Sequence, residues 1–273
     1  MITAGVDVGA KFAKVVILKD GQVIARAKAL VGLDLMKSAS DVFETALKAA
    51  GLSRSDIQKV VATGMGGMGG NAILQKPPIS ADEAVSVVVA SAAGAHQLVP
   101  TVKTVIDVGA EEGRGIKVEG GRVKDFVINE RCAAGAGTFI EAMARALEVK
   151  VEDLGPMSLK SMNAIPMNAQ CCVFAESEVV SLIHSKVSKE DISKAIHDAI
   201  AGRISSMILR IGVEKDVVLI GGCALNPGFV PPLEKELHAS IIVPEFPEYV
   251  SALGAAVIAA NPLRCNEKWL RLK

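Results

Sequence analysis

Two segments of equal length decide the fold: AGVDVGAKFAKVVILKDGQVI at residues 4–24 and TVIDVGAEEGRGIKVEGGRVK at residues 104–124. Each opens with an apolar run that ends in Asp-Val-Gly, passes through a polar turn and enters a second extended run. A two-residue hairpin signal follows, Asp20-Gly21 in one segment and Gly120-Gly121 in the other, and a third extended run comes next. The pattern predicts the same β-meander twice.

Aligning the two segments places Asp7 opposite Asp107 and Gly9 opposite Gly109. One Asp-Val-Gly tripeptide carries little information, because an aspartate at the end of a strand is an ordinary turn former. Two such tripeptides at equivalent places in two meanders indicate an internal duplication. We therefore expect two related lobes around one cleft, each offering a turn with free backbone N–H groups and an acidic side chain.

The spacing of apolar residues predicts the elements around these turns. A helical pattern covers residues 38–50 and ends at Gly51. The run GMGGMGG from Gly64 to Gly70 indicates a hinge or a substrate-side loop and not a phosphate cradle, since no Lys-Ser/Thr pair follows it. The predicted strands in these regions are residues 2–8, 13–18, 23–29, 59–63, 104–108, 116–118 and 122–128.

Composition narrows the class of protein. The 273 residues are 50% hydrophobic but only 3% aromatic, which is typical of an α/β protein whose core is built from Ala, Val, Ile and Leu. The formal net charge is zero and opposite charges are interspersed, so the sequence predicts neither a nucleic-acid partner nor a membrane surface. The apolar runs fall short of the roughly 20 residues that span a bilayer. We expect a cytoplasmic protein.

The cysteines carry a second signal. Their number, 5, is odd and makes no disulfide framework. Cys132 and Cys171 each stand just before the start of a predicted helix. The first turn of a helix has unpaired backbone N–H groups and the positive end of the helix dipole, which favour a thiolate or a bound anionic cluster. From the residues alone, metal ligation and a buried inert thiol both remain open.

The duplicated meander resembles the actin-like ATPase superfamily, in which two ribonuclease-H-like lobes enclose a nucleotide. The segment VVLIGGCALNPGF from Val217 is similar to the adenosine loop of that superfamily, and SALGAAVIAA from Ser251 is similar to its closing helix. The resemblance implies an N-terminal lobe at residues 1–100, with a helix at about 250–261 packing back onto it. It implies a C-terminal lobe at residues 101–249.

The same resemblance implies a site for ATP or ADP with Mg²⁺. Asp7 and Asp107 are the expected Mg²⁺-side carboxylates, acting through water, and Glu111 is a candidate to position the attacking water. Family members usually carry hydroxyl residues in the first turn and Gly-Gly-Gln-Asp in the second, whereas this chain has Ala-Lys and Gly-Ala-Glu-Glu. The sequence therefore predicts nucleotide binding more directly than it predicts ATP hydrolysis. The expected nucleotide-binding residues are Gly9, Ala10, Lys11, Gly109, Ala110, Gly221, Gly222 and Ala224.

The segments RCAAGAGTFIEAMA and CCVFAESEVVSL resemble the two signatures of 2-hydroxyacyl-CoA dehydratase activators and benzoyl-CoA reductase ATPase subunits. In that family one cysteine before each helix, from each of two subunits, holds a single [4Fe–4S] cluster on the dimer axis. The resemblance implies that Cys132 and Cys171 are the ligands here. Cys172, one residue farther along, is expected to be a core thiol.

The function implied by this resemblance is ATP-dependent delivery of low-potential electrons to a CoA-thioester reductase or dehydratase. A ferredoxin-like protein is the expected electron donor, and the chain is expected to form a homodimer or a paralogous heterodimer. The altered turns favour one of two non-identical subunits of a benzoyl-CoA-reductase-like assembly, with a homodimeric dehydratase activator close behind. Two other functions stay open: a small-molecule kinase on the same frame, and a nucleotide-binding structural subunit that does not hydrolyse ATP.

Overall fold

The computed structural model describes residues 1–64, 81–129, 137–167 and 171–261. The strands of these regions are β1 (Ile2–Val8), β2 (Phe12–Lys19), β3 (Gln22–Leu30), β4 (Lys59–Gly64), β5 (Glu83–Ala84), β6 (Thr104–Val108), β7 (Gly113–Glu119), β8 (Arg122–Ile128), β9 (Val217–Ile220) and β10 (Ile241–Ile242). The α-helices are α1 (Leu35–Ala50), α2 (Val87–Leu98), α3 (Gly137–Ala146), α4 (Val151–Ser158), α5 (Cys172–His184), α6 (Lys189–Ile208), α7 (Val230–Leu237) and α8 (Val250–Ala260).

The strands form two five-stranded sheets with the same internal order. One sheet runs β3-β2-β1-β4-β5, and the other runs β8-β7-β6-β9-β10. In the first sheet β1 is antiparallel to β2 and parallel to β4, so the sheet is mixed. The two orders become identical when β1 is matched with β6 and β4 with β9. The predicted α/β class and the predicted duplication are both confirmed.

The hairpin turns explain why each meander forms. Asp20 and Gly21 have φ of 52° and 82°, and Gly120 and Gly121 have φ of 56° and 77°. Two consecutive residues with positive φ make the turn whose twist matches the twist of the flanking strands. The turn signal in the sequence is therefore sufficient to predict both hairpins.

Two element boundaries differ by three residues from the sequence prediction, and the other predicted boundaries differ by at most one. Helix α1 begins at Leu35, three residues before the predicted start, because the side chain of Asp34 accepts a hydrogen bond from Lys37 N at 2.9 Å and caps the helix. Strand β7 begins at Gly113, whereas the apolar pattern predicts residues 116–118. A Cβ added at Gly115 would overlap Ile208, so this strand position requires glycine and shows no apolar signal.

The chain divides into two compact units. One contains Met1–Val105, Val118–Asp125 and Glu248–Lys273, and the other contains Ile106–Lys117 and Phe126–Pro247. In the first unit, the core below β1 and β2 includes Val6, Val15 and Phe43 of α1. In the second unit, the core gathers Phe139, Ile196 and Leu219. The first core therefore covers all three strands of the first meander, whereas the second core covers β6 of the second meander together with β9.

Helices α2 and α8 pack closely in the first unit because glycines face backbone. A Cβ added at Gly94 would overlap the carbonyl oxygen of Val250, and one added at Gly254 would overlap that of Ala90. The buried hydroxyls of Ser91 and Ser251 lie 2.9 Å apart. None of the helices in the described part of the chain is long and apolar enough to cross a bilayer.

Candidate functional site

The turn between β1 and β2, residues 9–11, is called loop 1. Gly9 N donates a hydrogen bond to the carbonyl oxygen of Phe12 at 3.1 Å and so closes the turn. Asp7, at the end of β1, is buried, and its Oδ2 lies 2.8 Å from Lys14 Nζ. A buried carboxylate is costly without a counter-charge, so Lys14 stabilises the loop as well as the aspartate.

The turn between β6 and β7, residues 109–112, is called loop 2 and repeats this arrangement. Gly109 N donates to the carbonyl oxygen of Glu112 at 2.9 Å. Buried Asp107 receives a hydrogen bond from Arg114 Nη1 at 3.1 Å, and Arg114 Nη2 also pairs with Glu112. In both loops the cation follows the aspartate by 7 residues.

Sequence reasoning missed Lys14 and Arg114, although the alignment of the two meanders places them opposite each other. In the sequence, each of them is only a charged residue within a predicted strand or turn. The structure makes each the direct partner of a predicted site aspartate. The signal that could have found them is their equivalent position after Asp7 and Asp107.

A glycine at the end of the neighbouring strand lies against each aspartate. Gly64 ends β4 with φ of 90°, and a Cβ added there would lie 2.5 Å from Asp7 Oδ1. Gly221 follows β9, also with φ of 90°, and its added Cβ would lie 2.9 Å from Asp107 Oδ1. The sequence indicates Gly64 only as the start of a hinge, and the remainder of that predicted loop, residues 65–70, lies outside the described residues. The structure makes Gly64 the counterpart of Gly221.

Residues 221–226, called loop 3, follow β9. Gly221 N donates to the carbonyl oxygen of Pro247 at 3.0 Å, and a short 3₁₀ helix spans Gly222–Leu225. A Cβ added at Gly222 would meet no atom within 4 Å, so this predicted nucleotide-binding residue borders open space. The side chain of Ala224, also predicted for the nucleotide, packs in the core of the second unit. Only its backbone is therefore suited to contact a ligand.

Loop 2 is joined directly to the first turn of α3. Gly137 N donates to the carbonyl oxygen of Gly109, and Thr138 N donates to that of Ala110, both at 2.9 Å. The first N–H groups of a helix have no partner within the helix, and here the loop carbonyls satisfy two of them. A displacement of loop 2 therefore acts on the start of α3.

The side chain of Cys223, on loop 3, contacts the same carbonyl group of loop 2. Its Sγ lies 3.6 Å from the carbonyl oxygen of Gly109. Burial raises the pKa of the Cys223 thiol to about 12, and the negative charges of Asp107 and Glu141 contribute to that rise. The thiol is therefore protonated at neutral pH and donates to the carbonyl.

The two loop residues that are expected to act on phosphate lie on the turns themselves. Lys11 Nζ lies 5.8 Å from the centroid of the Phe12 ring, within the range of a cation–π contact. Glu111 is exposed on loop 2. The roles of both residues toward phosphate stay predictions.

The predicted cluster ligands fall in different parts of the chain. Cys132 lies outside the described residues. Cys171 is the N-cap residue of α5, half-buried, with extended backbone (φ −142°, ψ 134°) and no hydrogen bond from its side chain to the first turn. Cys172 packs against the core of the second unit. The assignment of Cys171 as a ligand stays a prediction, and its position suits that role better than the position of Cys172.

Near loop 3 lies a buried histidine to which the sequence assigns no site role. His197 of α6 is 1% exposed, and its Nδ1 lies 2.7 Å from the carbonyl oxygen of Ser193. Burial lowers its pKa, while the hydrogen bond to the carbonyl of Ser193 opposes that shift. Asn226, which ends the 3₁₀ helix of loop 3, is near enough to raise the pKa as well. A neutral imidazole therefore lies beside the end of this loop.

Two meanders with one strand order, each ending its first strand in a buried aspartate beside a glycine turn, define the actin-like ATPase fold. The comparison of this chain with known proteins agrees with that class. The model of the BadF/BadG/BcrA/BcrD ATPase family matches residues 4–259. The chain belongs to this family of ATPases, and the predicted family resemblance and ATPase class are confirmed.

Two solved structures and one further relative illustrate the similarity. The activator of 2-hydroxyisocaproyl-CoA dehydratase from Clostridium difficile, with bound ADPNP, is 37% identical, with a TM-score of 0.87, covering 100% of this chain and 98% of its own. Component A of (R)-2-hydroxyglutaryl-CoA dehydratase from Acidaminococcus fermentans is 36% identical, with a TM-score of 0.89, covering 96% and 98%. A benzoyl-CoA reductase subunit from Thauera aromatica is 30% identical, covering 95% and 93%.

Proposed function

We propose that this protein is an ATP-dependent electron carrier that delivers low-potential electrons to an acyl-CoA dehydratase or reductase. The observation that carries the proposal is the pair of hydrogen bonds from the first amides of α3 to loop 2. They join a predicted phosphate-binding loop to the helix that follows Cys132 in the chain. A protein that couples nucleotide turnover to a redox centre needs such a link, whereas a kinase does not.

The loops offer what a nucleotide with Mg²⁺ requires. Gly9 N and Gly109 N close the turns, so the N–H groups that follow them in each turn are the ones suited to phosphate oxygens. Gly222 leaves room for close approach. Asp7 and Asp107 are oxygen donors of the kind Mg²⁺ prefers, and Lys14 and Arg114 balance the charge of each in its buried position. When bound, Mg²⁺ would neutralise charge on the phosphates. The relative with bound ADPNP supports this assignment.

The cysteines suit a [4Fe–4S] cluster shared between two copies or two paralogues of the chain. Such a cluster takes four thiolates, and Cys132 and Cys171 would supply two from each chain. The first turn of α5 directs its N–H groups toward the Cys171 end, which favours an anionic group there. The cluster would supply one-electron chemistry. We infer that a ferredoxin-like donor reduces it.

A dehydratase is the partner we favour over a benzoyl-CoA-reductase assembly. The dehydratase activator shares 37% of its residues with this chain, and the reductase subunit shares 30%. This preference reverses the order in which the altered loops ranked the two assemblies. It also favours a homodimer over a paralogous pair, because two identical copies can supply all four ligands by symmetry.

Anaerobic purification tests the proposal. We expect a brown protein with cluster absorbance that hydrolyses ATP and, with a reduced ferredoxin, passes electrons to a 2-hydroxyacyl-CoA dehydratase only when ATP is present. A colourless protein that phosphorylates an acid or a sugar would contradict the proposal and support a kinase. Tight nucleotide binding without hydrolysis, even with the dehydratase present, would support a structural subunit instead.

A further inference from the structure

One backbone oxygen in the second unit joins three segments of the chain. The carbonyl oxygen of Gly109, on loop 2, accepts from Gly137 N of α3 at 2.9 Å. It also lies 3.6 Å from Sγ of Cys223, on loop 3. We call this arrangement the thiol bridge. It connects a loop expected to hold phosphate, a loop expected to hold adenosine, and the helix that follows Cys132.

The thiol bridge is tightly packed. A Cβ added at Gly137 would lie 3.2 Å from Cys223 Sγ and 3.2 Å from Gly109 O. These distances are shorter than ordinary van der Waals contact, so a side chain at this position would press against the thiol and the carbonyl group. Cys223 is 6% exposed and belongs to the core of the second unit. Closely packed contacts transmit displacements instead of absorbing them.

The chemistry of Cys223 suits a link and not a reactive thiol. Nucleophiles and metal ligands act as thiolates, and burial holds the pKa of this thiol far above neutrality. A neutral thiol is a weak hydrogen-bond donor that also fills volume as a small apolar group. Both properties serve the contact with Gly109.

We propose that Cys223 is a positioning residue that transmits the nucleotide state of loops 2 and 3 to helix α3. The inference rests on the proposed function, because it requires nucleotide at these loops. Nucleotide that draws loop 3 and loop 2 together tightens the contact between Cys223 and Gly109. The same carbonyl then holds the first turn of α3. Without the thiol, nucleotide still binds, but α3 responds to it less.

Hydrogen exchange of the anaerobic holoprotein tests this inference. The amides of Gly137 and Thr138 report on the link directly, because both donate to loop 2. Their exchange rates are measured without nucleotide and with saturating ADP or a non-hydrolysable ATP analogue. Nucleotide affinity is measured on the same samples. The rate at which a chelator removes iron in each nucleotide state is a second readout.

The variants are Cys223→Ala and Cys223→Ser, with Cys172→Ala as the matched control. Cys172 packs against the same core, but it does so from the first turn of α5. Weak S–H···O contacts contribute little individually, so we expect Cys223→Ala to reduce the nucleotide-induced change in exchange by roughly two- to fivefold. Cys223→Ser should restore part of it, and Cys172→Ala should behave as the parent.

A second pair of variants tests the packing. Gly137→Ala places a methyl group against the thiol bridge, whereas a Cβ added at Gly202 of α6 meets no atom within 4 Å. We expect Gly137→Ala to weaken the response of α3 and Gly202→Ala to leave it unchanged.

The outcomes separate the inference from the proposed function. If the parent binds nucleotide and Cys223→Ala shows the parental change at Gly137 and Thr138, the inference is wrong and the proposed function stands. If the parent binds no nucleotide, both are wrong. If Cys223→Ala binds nucleotide with parental affinity but its exchange and chelation rates no longer follow the nucleotide state, the inference is supported.

Discussion

Loop 1 and loop 2 have the same backbone and the same aspartate, but they differ in what else holds them. Beside loop 1, Asp7 pairs with Lys14, and the Lys11 carbonyl accepts a hydrogen bond from Val31 N. Beside loop 2, Arg114 pairs with two carboxylates, and the carbonyl groups of the loop bind the start of α3. Both copies therefore keep the turn, while the carbonyl groups of loop 2 contact the start of a helix. We infer that loop 1 only binds, whereas loop 2 both binds and transmits.

The largest expected effect comes from removing the buried cations. Arg114→Ala leaves the buried carboxylate of Asp107 without its counter-charge, and we expect a loss of about 3–5 kcal/mol in the free energy of unfolding. Lys14→Ala should cost less than Arg114→Ala, because only one carboxylate loses its partner. Urea unfolding without nucleotide measures both.

Lys37→Ala is the control for these variants, since the ion pair of Lys37 with Asp41 is exposed and should contribute nothing measurable. Equal losses for Lys14→Ala and Arg114→Ala would show that the second carboxylate adds nothing to loop 2. The two loops would then be equivalent in this respect.

The second largest expected effect is that of Lys11 and Glu111 on ATP binding and hydrolysis. Charged hydrogen bonds contribute about 1.5–3 kcal/mol, so Lys11→Ala should weaken ATP binding by roughly ten- to a hundredfold if Lys11 contacts phosphate. Glu111→Gln should leave affinity unchanged or improved and slow hydrolysis if Glu111 positions water. Equilibrium binding and single-turnover hydrolysis measure these effects. If Lys11→Ala binds ATP as tightly as the parent and Glu111→Gln hydrolyses it as fast, only backbone groups of the loops contact the phosphate.

Adjacent glycines of loop 3 should respond differently to the same substitution. Gly221→Ala forces a Cβ into a left-handed backbone conformation and against Val108 O, which should destabilise the protein by about 1–3 kcal/mol. Gly222→Ala should leave the unfolding free energy near the parental value, because its Cβ enters open space, and should weaken nucleotide binding. Thermal unfolding and nucleotide titration distinguish them. If Gly222→Ala binds nucleotide with the parental affinity, the nucleotide does not bind next to this residue.

The smallest expected effect concerns pH. Burial lowers the pKa of His197 below its ordinary value of 6.5, so the unfolded chain takes up a proton at a higher pH than the folded protein does. Stability from this residue is fully present above pH 6.5 and is lost as the pH falls from there toward the folded pKa. Unfolding free energies measured from about pH 7.5 down to about pH 5 should show this loss, and His197→Gln should make the slope shallower. If the slope of the His197→Gln variant equals the parental slope, the pH dependence of stability arises from other groups.

The comparison of the loops also shows how far the sequence could lead. Both hairpins follow from turn chemistry, and the duplication follows from the repeated Asp-Val-Gly, which are local signals. The places of β4, β5, β9 and β10 in the sheets depend on pairing with strands that are distant in sequence. Lys14 and Arg114 were missed because a charge within a strand is indistinguishable from a solvent-facing residue until its partner is known. The thiol bridge could not be predicted, because it depends on contacts among Gly109, Gly137 and Cys223, which are distant in sequence.

Iron content of two single variants tests most directly whether this ATPase carries a cluster at the start of α5. We expect Cys171→Ala, purified anaerobically, to lose its iron and the associated absorbance, because a ligand is missing from each chain. We expect Cys172→Ala to retain the parental iron content, because that side chain packs in the core. Parental iron in Cys171→Ala together with loss in Cys172→Ala would contradict the ligand assignment, and a parent without iron would contradict the electron-carrier function itself.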